Sequence, residues 1–221
     1  MKKIISYSLW GNNPKYTIGA VKNAKLAGKF YPGWVCRFYC TADVPVEIVE
    51  ELKKTSEVIE CSEKPNWKFA TKRFLPMSEE GVERVIFRDT DSRFTDREVA
   101  AVNEWIKEDT ALHIMKDHPY HGGFPILAGM FGIMGGYITS IQKLLDAYSI
   151  KDEHYHYDQI FLQNYIWLLL QRDCTIHDEF FIKKPFPTQR NGLEFIGEPF
   201  NADDSVCDTS HREILRKSLQ K

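Results

Sequence analysis

Three short apolar stretches near the N-terminus alternate with two amphipathic ones, and that order leaves few folds open. Lys3 to Leu9 (KIISYSL) reads as a buried strand. GNNP breaks it, and Asn13 with Pro14 starts a helix over Lys15 to Ala27, with Ile18, Val21 and Ala24 on one side and Gly28 as its stop. Trp34 to Cys40 is a second strand, Pro45 opens a second helix through VEIVEELKK, and Glu57 to Cys61 is a short third strand. Strand, helix, strand, helix, strand predicts parallel pairing through crossover helices.

The rest of the chain continues the pattern. Asn66 to Met77 reads as helical and is rich in basic and aromatic residues, and RVIF is a fourth strand. Asp96 to Asp109 is a helix with Asp96 as its N-cap, and Ala111 to Met115 is a fifth strand. A loop, KDHPYHGGFP, and a Gly/Met-rich segment, ILAGMFGIMGG, follow. An amphipathic helix passes through Ile138, Ile141, Leu144, Leu145 and Tyr148. Tyr157 to Gln171 reads as a buried helix and CTIHDEFF as a late strand. Ser210 and Glu213 have capping-box spacing for a short terminal helix. No repeat, low-complexity tract or linker interrupts residues 1–221, so one α/β domain is expected, with residues 201–221 as its tail.

Composition narrows the partners. A formal net charge of −2 points to neither nucleic acid nor an anionic membrane, so an anionic ligand needs a local site. The longest apolar run, Tyr165 to Leu170, is far too short for a transmembrane segment. The stretch after Lys2 and Lys3 is broken by Ser6 and Ser8 and lacks a small-residue cleavage site, so it reads as a strand and not as a signal peptide. Five cysteines without a CxxC pair fit a reduced, cytoplasmic setting.

The chemistry concentrates in RVIFRDTDSRFTD, Arg84 to Asp96. Asp89 and Asp91 directly follow the fourth strand. In extended chain, residues i and i+2 point to one side, and at ~6 Å with an effective dielectric of ~20 two carboxylates repel by roughly 3 kcal/mol. Two compensations are open: pairing with Arg88 and Arg93, or a divalent cation held by carboxylate oxygens. Ligands of open parallel sheets bind off the carboxyl ends of strands, where these aspartates stand. An EF-hand is excluded, because its loop needs an oxygen ligand and a glycine where this chain has Arg93 and Phe94.

IFRDTDSR resembles the Asp-x-Asp motif of metal-dependent GT-A glycosyltransferases. ISYSLWG is similar to their first strand and nucleotide loop, and YDQIFLQ to the Asp-Gln helix start of several such families. HIMKDHPYHGGFPILAGMFG and KKPFPTQRNGLEFIGEPF resemble segments of small bacterial and chlorovirus-type glycosyltransferase domains. The resemblance spans about Lys3 to Phe200. It implies a Rossmann-like, mostly parallel sheet flanked by helices, and a hexosyltransferase of polysaccharide biosynthesis. Its donor would be a nucleotide-sugar, with UDP favoured, its acceptor a glycan or other hydroxyl, and its cofactor Mn²⁺ or Mg²⁺.

Under that resemblance Asp91 is the direct metal ligand, with Asp89 also on the metal or nearer the ribose. Ser6, Leu9 and Trp10 line the nucleotide, although Trp10 also suits plain core packing. Arg73 and Lys68 neutralise phosphate or fix the metal loop, or else lie on a solvated helix face, and Arg88 orients Asp89. Asp158 is placed at the reacting centre. A helix start there keeps its carboxylate ionised, ready to hold donor hydroxyls or face an oxocarbenium-like sugar, with retention of configuration; simple N-capping is the plainer role. Asp117 and His118, with His121 around Pro119, contact donor sugar or acceptor, or else form a hydrogen-bonded turn. His177 and Asp178, near the metal, are further candidates; Asp203 and Asp204 read as a solvated acidic turn, with closure over the site as the alternative.

Two rivals stand beside this. A haloacid-dehalogenase-type phosphatase also places Asp-x-Asp after a strand, but near the N-terminus and with Thr or Val at the fifth position, which is Arg93 here. A catalytically silent nucleotide- or glycan-binding module would keep the same residues without turnover.

Overall fold

The computed structural model describes residues 1–148, 154–182 and 184–220. Ile4, Ile5 and Tyr7 are fully buried at nearly consecutive positions, so strand β1 (Lys2–Leu9) is covered on both faces. It pairs in parallel with β2 (Trp34–Thr41) and with β4 (Val82–Arg88), Ile5 standing opposite Cys36 and Ile86. β3 (Glu57–Cys61) adds to the outer side of β2, also parallel.

The intervening helices are α1 (Pro14–Phe30) and α2 (Val46–Lys53). Asn13 caps α1, its side chain accepting from Lys15 N at 3.0 Å, with Pro14 at the first turn. The helix runs through Gly28 to Phe30, because the Tyr31 N–H still reaches Ala27 O. α3 (Asp96–Glu108) follows β4 and is capped by Thr95, whose hydroxyl accepts from Glu98 N at 3.1 Å. Asp96 therefore sits inside the first turn, where its charge favours the helix dipole.

The largest departure from the sequence reading is β6 (Met130–Met134), which lies within the Gly/Met-rich segment. It runs antiparallel to β4 on one side and to β5 (Leu112–Lys116) on the other. Gly132 is in that strand for space: a Cβ there would strike the Trp105 indole and Ile86. β7 (Cys174–Asp178) pairs in parallel with β5, giving one mixed sheet in the order β3-β2-β1-β4-β6-β5-β7.

Each face has its own core. Ile5, Phe38, Leu52, Ile86, Val102 and Trp105 pack on the α1–α3 side. Ile4, Phe74, Val85, Phe87, Phe131 and Phe161 pack on the other, beneath a 3₁₀ segment (Trp67–Ser78), α4 (Ile141–Ala147) and α5 (Tyr157–Phe161). The expected helix through Gln171 leaves α-geometry after Phe161. It passes through a π-helical stretch (Leu162–Trp167) to a last turn, α6 (Leu168–Leu170), whose Leu168 and Leu169 are exposed. The terminal helix α7 (Thr209–Leu219) starts one residue before Ser210, with Asp208 as its cap. Among the described residues, no helix is long and apolar enough to cross a membrane.

Candidate active site

β4 ends at Arg88, and the alternation of a strand sends Arg88 and Asp89 to opposite sides. Arg88 turns into the α1–α3 layer, where Nε meets Glu98 Oε1 at 2.6 Å and Nη1 meets Phe131 O at 3.2 Å. Arg93 reaches Asp204 Oδ1 at 3.0 Å and the carbonyls of Thr90 and Ser92. Neither arginine flanking the aspartates is paired with them, and Arg88 does not orient Asp89. The cations come from farther along the chain. Arg73 Nη1 lies 2.5 Å from Asp89 Oδ1, and Lys15 Nζ lies 2.7 Å from Asp91 Oδ2.

Several groups hold this loop. The Ser92 hydroxyl and N–H donate to Asp89 O at 2.9 and 3.3 Å, closing a turn. The buried Asn23 of α1 donates to Thr90 O at 3.2 Å, and Phe200 N donates to Asp91 O at 2.8 Å. Two glycines make room. A Cβ at Gly19 would strike Thr90 O, and one at Gly129, just before β6, would overlap the Asp89 carboxylate. The Asp89 side chain is 53% exposed and the Asp91 side chain only 14%. Burial, then the neighbouring Asp89 charge, pushes the Asp91 carboxyl above its ordinary range against the pull of Lys15.

Arg73 ties this pair to Asp158. It is buried, its N–H and C=O are held by the hydroxyls of Ser8 (3.0 Å) and Ser6 (2.7 Å), and its Nη2 lies 2.6 Å from Asp158 Oδ2. Asp158 sits in the first turn of α5 and accepts from Gln159 N at 2.8 Å. The helix start was expected to keep this carboxylate readily ionised. Burial instead pushes its pKa up, and Arg73 with the Gln159 N–H recovers only part of that.

These groups face a cleft of about 600 Å³ over the ends of β1 and β4. Leu9, Trp10, Arg73, Asp89, Asp91, Asp158 and His118 all line it. Ser6 acts from below, through the Arg73 carbonyl. Lys68 is exposed and lies outside the lining. Asp117 is also outside: fully buried, it binds Arg190 Nη2 (2.6 Å), Arg97 Nε (3.1 Å) and Ile196 N (3.0 Å). His177 contacts His113 at 2.9 Å beneath the sheet, and Asp178 accepts from three backbone N–H groups of residues 180–182. Asp204 pairs with Lys22 and Arg93 away from the lining.

The sequence reading missed Lys15, Tyr16, Trp67, Tyr155, Phe195 and His211, of which all but Lys15 line the cleft. Trp67 packs edge-on against Trp10 and Tyr155, with ring centroids 6.0 and 5.0 Å apart. The aromatic richness around Asn66 to Met77 was the one visible signal for this wall.

No protein-family model matches the sequence. No curated protein matches it either. Solved structures do. The 4-diphosphocytidyl-2C-methyl-D-erythritol synthase of Anaerococcus prevotii is 9% identical, with 100% of this chain and 97% of that one covered at a TM-score of 0.52. The glucosyl-3-phosphoglycerate synthase of Mycobacterium tuberculosis, in complex with phosphoglyceric acid, is 13% identical, with 86% and 72% covered at 0.51. The same synthase in complex with UDP gives 14% identity, the same coverage and 0.50. The fold is GT-A. In this GT-A sheet the chain turns opposite ways from β1, to β2 on one side and β4 on the other. Ligands of open α/β sheets bind at such a reversal, and Trp10, Asp89 and Asp91 stand there.

Proposed function

We propose that the chain is a glycosyltransferase that moves a sugar from a nucleoside-diphosphate sugar, with UDP favoured, to a hydroxyl of a glycan or similar acceptor, using Mn²⁺ or Mg²⁺. One observation carries the reading: the charge of the cleft. Asp89, Asp91 and Asp158 line it against two cations that are already spent, Arg73 on Asp89 and Asp158 and Lys15 on Asp91. A diphosphate entering alone meets a surplus of carboxylates and no free cation, each close like-charge pair costing roughly 3 kcal/mol at an effective dielectric of ~20.

The donor set suits a hard divalent ion. Two carboxylates share one loop, and no group of three His, Cys, Asp or Glu suited to a metal occurs among the described residues. Diphosphate and water oxygens would complete such a shell. Asp91 and Asp89 would hold the ion, which when bound supplies positive charge against the departing nucleoside diphosphate. Arg73 keeps Asp89 and Asp158 at fixed separation across the cleft floor. Asp158 then serves to hold donor hydroxyls and to face positive charge developing on the sugar, an arrangement suited to retention. The GT-A synthase solved with UDP supports the choice of base.

Release of UDP and transfer of sugar from UDP-hexoses with Mn²⁺ is the test, with Asp91→Ala as control. Metal-dependent turnover abolished by the substitution is expected. A protein that binds UDP and releases no sugar from any nucleotide-sugar would be a silent binding module, and the proposal would fall.

A further inference from the structure

The cleft continues past the aspartates, over β6 and β5, to an end built from rings. His118, Tyr120, His121, Phe195 and His211 line it. His118 lies 4.5 Å from Phe195 and 5.3 Å from Tyr120 between ring centroids, and Tyr120 stands edge-on to His211 at 5.6 Å. His118 and Phe195 are buried behind, whereas Tyr120 is 62% exposed and offers its ring to the cleft. We infer that this end is the acceptor subsite, and that it takes an uncharged pyranose ring stacked on Tyr120 in preference to a phosphorylated or carboxylate-bearing acceptor. This rests on the glycosyltransferase reading above.

Position comes first. A donor whose diphosphate lies at Asp89 and Asp91 has Trp10, Gly11 and Asn12, after β1, on one side for its nucleoside. The β5 side, beyond Gly129, is what remains for a second substrate. Charge comes next. Among the described residues no lysine lines the cleft, and the one arginine is spent on two aspartates. Arg190, beneath the loop, is committed to Asp117 and Glu179, and Lys116 lies over the Phe181 ring outside the lining. An anionic acceptor would find three carboxylates and no free cation.

The imidazoles of His118 and His121 do not fill that role. His118 Nδ1 accepts from Tyr120 N at 3.1 Å, so its proton is on Nε2, which donates to His211 O at 2.9 Å. His121 Nδ1 accepts from Asp117 N at 3.0 Å, which likewise places its proton on Nε2. Burial, with nearby imidazole and cationic charge, takes His121 down to about 3, so it stays neutral. The neutral His121 Nε2–H suits a sugar hydroxyl, and an aromatic face with few polar groups suits the apolar face of a pyranose.

The experiment compares methyl pyranosides with the same sugars as 6-phosphates, using the whole chain with Mg²⁺ and UDP-hexose. Neutral glycosides are expected to stimulate UDP release at least about tenfold more than the phosphates. Tyr120→Ala, at an exposed position, is expected to raise the acceptor KM about tenfold while the donor KM moves less than about twofold. Sugar phosphates acting as the better acceptors, or an unchanged acceptor KM in Tyr120→Ala, would overturn the inference. A readout independent of turnover is the NMR shift of the Tyr120 and His211 rings on adding each compound. Shifts with the methyl glycosides alone support the subsite; shifts with the phosphates, or with neither, overturn it. Failure of the donor reading shows separately, as absent Mg²⁺-dependent binding of UDP.

Discussion

At the scale of single residues, the site depends on side chains that hold its carboxylates in place. Arg73 is buried between Asp89 and Asp158. Arg73→Met would leave Asp158 buried without its cation, and a loss of about 3–5 kcal/mol in urea denaturation is expected. A loss below about 1 kcal/mol would mean the three groups are not coupled as described. Gly129→Ala puts a methyl group where the Asp89 carboxylate stands. Metal-dependent affinity for UDP should fall about tenfold while the melting temperature moves by only a few degrees. The Asp pair and Arg73 were legible in the sequence because strand-end carboxylates and a basic segment are local signals. The direction of Arg88 was available too, since adjacent strand residues face opposite ways. Lys15 was not legible, because its role comes from a contact far apart in the chain; the glycines around Gly129 read as places of close approach, but not that Asp89 is what approaches.

At the scale of elements, β5 and β7 share an unusual core. His113 and His177 are fully buried, with Nε2 of the first 2.9 Å from Nδ1 of the second, and His113 stacks on Trp105. Burial pushes both pKa values below the ordinary imidazole value, His113 strongly. The unfolded chain therefore binds more protons below about pH 6.5, so the stability these residues contribute is present above that pH and is lost as pH falls. Each neutral histidine should cost up to about 1.4 kcal/mol per pH unit below 6.5. Urea midpoints at pH 7.5 and 5.5, with imidazole NMR of His113, check this. An imidazole that titrates near 6.5 in the folded protein would contradict it. β1 to β4 were legible from apolar runs punctuated by Gly, Asn and Pro. β6 was hidden, because Gly132 and its neighbours carry a turn-like composition that the Trp105 indole requires.

At the scale of the whole molecule, the segment from Asn201 onward, which lies beyond the family resemblance, is fastened beside the site and lends it His211. Just before it Phe200 N donates to Asp91 O; within it Asp204 joins Lys22 of α1 to Arg93, and α7 is fastened by Arg212 on the buried Glu198 at 2.6 and 2.8 Å. Arg212→Ala strands that carboxylate, and a loss of about 2 kcal/mol is expected by chemical denaturation; an unchanged midpoint would show that α7 is only loosely attached. The central claim is that the crowded aspartates admit a nucleoside diphosphate only together with a divalent ion. Calorimetry of UDP with and without Mg²⁺, on the unaltered chain and on Asp91→Asn, tests it most directly. The account predicts binding that requires Mg²⁺ and that weakens at least about tenfold in the variant. UDP binding of equal strength without the ion, or untouched by the substitution, would contradict it.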